Sequence, residues 1–297
     1  MAASPGRTAR RRFWLVEPLR PLLRDGFAVA GLAVLVVFVA VAILAPWIAT
    51  HPPYEAALTP EGRLMRLRPP SGEHWLGTTT FGHDVFSQFI LGFRIALLVG
   101  ILGALAVGVI STLFGVVSGY FGGIVDDVLM RVTDIALSIP TLPFAIVAVG
   151  LLGPSVNNII LVIAILFWRN GARIIRAAVL TERERVYVRW ARAAGASHLH
   201  VILRHILPNV FRVVFLWVTM SVAFAILTEA SLSFIGLGDP SVVSWGQMLN
   251  TAFASGNLRS AWWWVVPPSV ALVMLISALY LVGRAFEEQA NPRLRRD

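Results

Sequence analysis

Residues 27–48 read FAVAGLAVLVVFVAVAILAPWI, an apolar run without a single charged side chain. A bilayer hydrocarbon core of about 30 Å is crossed by about 20 apolar residues in a helix, so this stretch is long enough to span. Arg7, Arg10, Arg11, Arg12, Arg20 and Arg24 precede it. A cleaved leader would carry an apolar region of roughly 7–15 residues followed by small residues at the cut. This run is longer and closes on Pro46-Trp47, so it reads as a retained transmembrane helix.

Further apolar runs lie at about 95–118, 132–152, 158–178, 210–234 and 262–283. The sequence therefore predicts six spans in an all-α membrane protein. The third is interrupted by Pro140 and Pro143. Proline removes a backbone donor and clashes with the preceding turn, so a kink or break is expected there.

The composition agrees. Of 297 residues, 57% are hydrophobic and 14% charged, and mean hydropathy is +0.75. A soluble domain carries about 25% charged residues. Soluble globular, disordered and fibrous classes are thereby excluded. There is no cysteine, which rules out disulfide frameworks, cysteine–zinc sites and thiol catalysis. All 25 basic residues are arginine. Assigning the segments between spans alternately to two sides gives 20 arginines on the side of the termini against 5 on the other. The positive-inside rule then places both termini in the cytoplasm. The same distribution explains the net charge of +9 without a nucleic-acid partner, since the arginines are spread over separate segments without interleaved aromatic residues.

Several small constellations remain. Gly100, Ala104 and Gly108, and then Gly115, Gly119 and Gly123, recur at four-residue spacing, which lines one helix face for close packing. Asp126, Asp127, Arg131 and Asp134 cluster where the second span turns into the third. Asp127 and Arg131 have the spacing of a helical ion pair. Glu229 lies inside the fifth span, where a carboxyl group must pair, face a polar interior or be protonated. Hydrogen bonding within the segment 231–233 is one role for it, and a place on a solute path is another. The histidines are His51, His74, His83, His198, His200 and His205. His198 and His200 are two apart, wrong for ligands on a shared helix face, and no metal site is expected. Neither a phosphate-binding Gly-x-x-x-x-Gly-Lys-Ser/Thr loop nor a Gly-x-Ser-x-Gly elbow occurs, so the chain itself is expected to hold no cofactor and to do no covalent chemistry.

The most specific stretch follows the fourth span. Tyr187-Val-Arg-Trp-Ala-Arg-Ala-Ala-Gly195 is alanine-rich and closes on a glycine placed to end a short helix. Pro208-Asn209 then marks the entry into the fifth span. A short helix between two spans suits docking on a soluble partner.

Here the chain resembles the permease subunits of bacterial ABC importers for dipeptides and oligopeptides, a family that also serves nickel chelates. Residues 187–199 look like the family's Glu-Ala-Ala loop, with Ala191, Gly195, Leu207 and Pro208 at matching positions. Arg189 and Trp190 stand where that motif has Glu-Ala. His74-Trp-Leu-Gly-Thr78, Gly82-His-Asp-Val-Phe-Ser87, Gly119-Tyr-Phe-Gly-Gly123, Glu229-Ala-Ser-Leu-Ser-Phe-Ile-Gly-Leu-Gly238 and Ser244-Trp245-Gly246 are similar to further family stretches, over about residues 27–290. Thr79 and His83 replace the usual aspartate and arginine. The first span and the long loop after it resemble the C-type subunit.

The resemblance implies the type I ABC importer permease fold and a location in the bacterial inner membrane. It implies a homologous second permease, two ATPase subunits that carry ATP and Mg, an extracytoplasmic solute-binding protein, and contact with membrane lipid. It implies ATPase coupling through Tyr187, Val188, Ala191, Arg192, Ala193, Ala194, Gly195, Ala196 and Leu199. Asp134, Pro140 and Glu229 are candidates for the translocation path or gate, and Gly115, Gly119 and Gly123 for helix packing. The expected organisation is a cytoplasmic segment 1–26, the first span and outer loop 27–93, a five-helix permease core 94–284 containing the coupling loop 179–208, and a cytoplasmic tail 285–297. The competing class is a self-sufficient secondary transporter or channel. It would pair charges at mid-membrane, often in inverted repeats, and the sequence offers Glu229 and the Pro140/Pro143 break but no cation in a span to partner them.

Overall fold

The computed structural model describes residues 25–290, with side chains to residue 287. The segment 1–24, with its basic cluster, and residues 291–297 lie outside the described residues. The described chain is helical throughout its long elements. These are α1 Gly26–Ile48, α2 Val85–Phe121, α3 Gly123–Ser138, α4 Thr141–Leu152, α5 Val156–Arg183, α6 Val186–Ala193, α7 His198–Val201, α8 Leu207–Leu232, α9 Trp245–Ala254 and α10 Trp262–Ala290. Single π-helical turns at Ile202–Ile206 and Ser233–Leu237 flank α8.

Five helical stretches are long and apolar enough to cross a membrane, and the pair α3–α4, bent by 87°, makes a sixth if counted as one broken span. The 12 residues of α4 rise only about 18 Å, too little to cross alone. The break falls at Ile139-Pro140. Pro140 supplies no N–H to continue α3, while Pro143 sits in the first turn of α4, where a missing donor is tolerated.

The helices start where side chains cap them. Asp84 Oδ2 accepts from the Ser87 amide at 2.7 Å to open α2, and Ser155 Oγ accepts from the Asn158 amide at 3.2 Å to open α5. With 37 residues, α2 is about 55 Å long and outruns the bilayer. It starts at Val85, within the stretch 49–93 that the sequence reading assigned to a loop.

The helix α2 is the central post, and its glycines explain why. A Cβ on Gly100 would lie 2.8 Å from Ile226 of α8, and one on Gly103 would lie 3.3 Å from Ile163 of α5. On Gly115 it would lie 2.8 Å from the Ala172 carbonyl, and on Gly119 2.9 Å from Val179. The small residues thus let α5 and α8 approach the α2 backbone. Gly123 does not belong to this face. It opens α3 with φ +51°, and a Cβ there would meet nothing within 4 Å. Its place is set by the turn after α2.

Among the described residues three larger apolar clusters fill the bundle, beside a small one at Ala28 and Ala285. The first gathers Phe38, Phe93, Trp245, Trp264 and Leu275 near loop 49–84. The second joins Val99, Ile163, Leu166 and Leu232. The third joins Val116, Ile175, Val188, Ile206 and Val210 at the opposite end. Trp245 is 1% exposed, meets Phe93 edge-on with centroids 4.8 Å apart, and donates to the Phe89 carbonyl at 3.0 Å. Trp245→Ala is expected to destabilise the protein by about 3–5 kcal/mol, the usual range for an aromatic core truncation. Thermal unfolding in detergent measures this, and an unchanged midpoint would contradict the anchoring of α9 by this ring.

Candidate functional site

The stretch 184–206 forms an elbow at one end of the bundle. In α6, Val188 is fully buried among Val116, Val179, Ile206 and Val210, which pins the helix to the ends of α2, α5 and α8. The rest of the elbow is largely uncovered, with Trp190 of α6 71% and Leu199 of α7 66% exposed. The helix ends in paired bonds. Gly195 N–H donates to the Arg192 carbonyl at 3.0 Å, and Ala196 N–H to the Ala191 carbonyl at 3.1 Å. This closure needs a residue in the left-handed region, and Gly195 has φ +84°. Tyr187 donates to Glu182 and accepts from Asn209 Nδ2 at 3.0 Å, tying α6 to both neighbouring helices. Burial, and then the bond to Glu182, push the Tyr187 hydroxyl up to about 12, so it stays protonated and donating at neutral pH.

Among the nine coupling candidates, Val188 is buried, Ala191 and Ala196 are partly covered, and Tyr187, Arg192, Ala193, Ala194, Gly195 and Leu199 are exposed. The first residues of the range 179–208 belong to α5, where Val179 is in the core. Arg189 and Trp190 are both exposed.

A second site was missed by the sequence reading. Arg169, Arg173 and Arg176 do not lie in a loop but on α5, at spacings that share one face. Removing them from the count leaves the arginine bias intact. Arg176 grips Asp126 with two bonds of 2.5 Å. Arg173 pairs with Asp134, and Arg183 donates to the Gly119 carbonyl at 2.9 Å. Asp126 and Asp134 therefore face α5, and the expected Asp127–Arg131 pair is not among the ion pairs formed. Arg169 is 5% exposed. Its Nη1 donates to the carbonyls of Ala136 and, at 3.1 Å, Ile139, and its Nη2 donates to Thr141 Oγ1 at 2.8 Å. A cation does stand inside a span. The signal was present, since Arg169 falls in the middle of the apolar run 158–178.

Asp134 and Pro140 thus gather beside α5, whereas Glu229 does not join them. It is 4% exposed and accepts from Ser233 Oγ at 2.7 Å, a side-chain bond that stitches α8 to the π turn after it.

Toward the opposite end, His51, His74 and Asp84 bring ligand atoms within 4.8 Å of one another, a grouping of residues too far apart in sequence to be noticed there. Asp84 caps α2 and also bonds His74 Nδ1 at 2.8 Å. These contacts give the trio a structural purpose, fastening the loop to the start of α2. Nearby, a cavity of about 150 Å³ is lined by Tyr54, His83, Gln88, Gln247 and Trp264. Burial lowers the His83 pKa, which favours its neutral form.

A multi-span helical bundle that ends in a short, mostly exposed helical elbow is the architecture of an integral membrane protein. Two family profiles match the chain. "Binding-protein-dependent transport system inner membrane component" covers residues 111–296, and "N-terminal TM domain of oligopeptide transport permease C" covers residues 4–70. The dipeptide transport system permease protein DppC of Bacillus subtilis is 32% identical over 93% of this chain and 85% of its own length. The glutathione transport system permease protein GsiD of Pectobacterium atrosepticum is 32% identical over 97% and 93%. In fold, a chain of the MetNI methionine ABC transporter matches with a TM-score of 0.50 at 18% identity, over 70% of this chain and 97% of that one. The chain belongs to the binding-protein-dependent transport system inner membrane components, as a C-type permease of an ABC importer. It is a multi-pass protein of the bacterial inner membrane, in a family that works with ATPase and solute-binding components.

Proposed function

We propose that this permease forms half of a translocation pathway for dipeptides and oligopeptides and is driven through the elbow at 187–199. The observation that carries the reading is the elbow, anchored from below by Val188 of α6 and open above at Trp190 of α6 and Leu199 of α7. Such an elbow transmits a push to α5 and α8 without unfolding. Its partner would be an ATPase subunit, and ATP with Mg would be held there. The chain itself would be non-catalytic. Peptide cargo is supported by the names of relatives such as the dipeptide permease of Bacillus subtilis. The arginine bias supports cytoplasmic termini, with α6 on the same side and loop 49–84 outside. The full assembly would add a homologous second permease, a second ATPase and an extracytoplasmic binding protein, surrounded by membrane lipid.

Purification of the tagged chain from its native membrane in a mild detergent tests this. A sister permease and ATPases are expected to co-purify, and the reconstituted complex should import a dipeptide only with ATP and the binding protein. Uptake by the chain alone under an ion gradient would overturn the reading in favour of a self-sufficient transporter.

A further inference from the structure

Arg169 is the fourteenth of the 28 residues of α5, so it stands about 20 Å from either end, near the bilayer midplane for a helix that spans. An ionised side chain at that depth is expensive and is expected to have named partners. Its partners all belong to one feature. The carbonyls of Ala136 and Ile139 and the hydroxyl of Thr141 flank the break between α3 and α4. The last carbonyls of a helix have no acceptor role within it, and they form the negative end of its dipole. Arg169 therefore donates to carbonyls at the end of α3 and to the first side chain of α4 with one planar fork. Lysine could not match that geometry, since its donors share one nitrogen. Arg169 Nε remains buried without a partner, so the fork is held on the side of the break alone.

We propose that Arg169 is a positioning residue that fixes the break at its 87° angle and makes α4 move with α5. In α4 only Ala145 and Val149 are buried, so apolar packing alone holds it weakly. The other arginines of the ladder, Arg173 and Arg176, hold α3 through Asp134 and Asp126. Arg169 alone among them reaches past the break, to Thr141. This rests on the reading that motion enters at α6, since α5 leads directly into that helix. A push on α6 would then turn α5, and Arg169 would carry the displacement into the broken span.

The absence of cysteine in the chain allows the test to be read at one introduced thiol, Leu142→Cys, on the exposed side of α4. The complete complex with its ATPases and binding protein is reconstituted, and three quantities are measured: ATP hydrolysis, dipeptide uptake per ATP, and maleimide labelling with and without ATP. Arg169→Met is expected to keep hydrolysis within about twofold, lower uptake per ATP at least tenfold, and abolish the nucleotide dependence of labelling. Arg169→Lys should recover part of the coupling. Thr141→Val removes one acceptor while leaving the charge, and should lower uptake per ATP two- to fivefold without lowering the melting temperature. If Arg169→Met fails to assemble, Thr141→Val decides the matter. Normal uptake per ATP in whichever variant assembles, with labelling still responsive to nucleotide, would overturn the proposal. A parent complex that hydrolyses ATP without any coupled uptake would instead overturn the reading of α6 on which it rests.

Discussion

Gly195→Val should lower coupled uptake at least tenfold while leaving membrane insertion and yield unchanged. The glycine has φ +84°, a conformation costing a non-glycine residue of order 1–3 kcal/mol and hardest on a β-branched one. A Cβ there would meet nothing within 4 Å, so the penalty is backbone strain and not a clash. Strain is relieved by opening the bonds from Gly195 and Ala196 to the last carbonyls of α6. Trp190 and Leu199 would then lose their fixed relation, while the buried helices stay packed. Gly195→Asn is the control, because asparagine tolerates the left-handed region and should retain uptake within about threefold. Vesicle uptake measured beside ATP hydrolysis checks both variants. A valine variant importing at the parent rate would show that the elbow's shape does not govern coupling.

Gly115→Leu should prevent accumulation of folded protein. The position lies at a close approach of α2 and α5, where a Cβ would sit 2.8 Å from the Ala172 carbonyl and 2.8 Å from Ile175 Cβ. Neither backbone nor a β-branched Cβ can swing aside, so the two helices must separate. Overpacking in a core typically costs about 1–3 kcal/mol when side chains can adjust, and here a whole interface is displaced. Gly115→Ala should give an intermediate loss. Fluorescence-detected size exclusion of the tagged chain reads the folded fraction. An undiminished monodisperse peak for the leucine variant would contradict the packing of this pair.

Much of the bundle was legible because a bilayer imposes length and polarity on whatever crosses it. The run 27–48 corresponds to α1 within a residue. The break in the third span followed from Pro140, since a missing donor acts locally. Gly115 and Gly119 were legible as packing positions from their spacing, whereas Gly123 was not separable from them, because four-residue spacing continues past the end of a helix that the sequence does not mark. The arginines of α5 were misplaced for a related reason. Charge was used to orient the spans, which counted these arginines with the connecting segments, and Arg169 is a charge that tertiary contacts admit to the interior. Its partners are two backbone carbonyls and one hydroxyl some 30 residues away, which no local sequence pattern announces. The trio of His51, His74 and Asp84 was invisible for want of regular spacing, since an irregular loop brings them together.

The π turn at Ile202–Ile206 joins the elbow to α8. Such a turn holds one residue more than an α turn. The extra residue is already absorbed by the wide turn, so inserting another beside the exposed Leu203 would swing the elbow about 100° around the axis of α8 and push it out by about 1.5 Å. Val188 would leave its socket and another face of α6 would be presented. A substitution on the surface of this segment changes one contact, but a change in its length changes the phase of all of them. Between α6 and α8 the number of residues is therefore more tightly constrained than their identities, so relatives that work by the same motion are expected to vary here in letters and to keep the length.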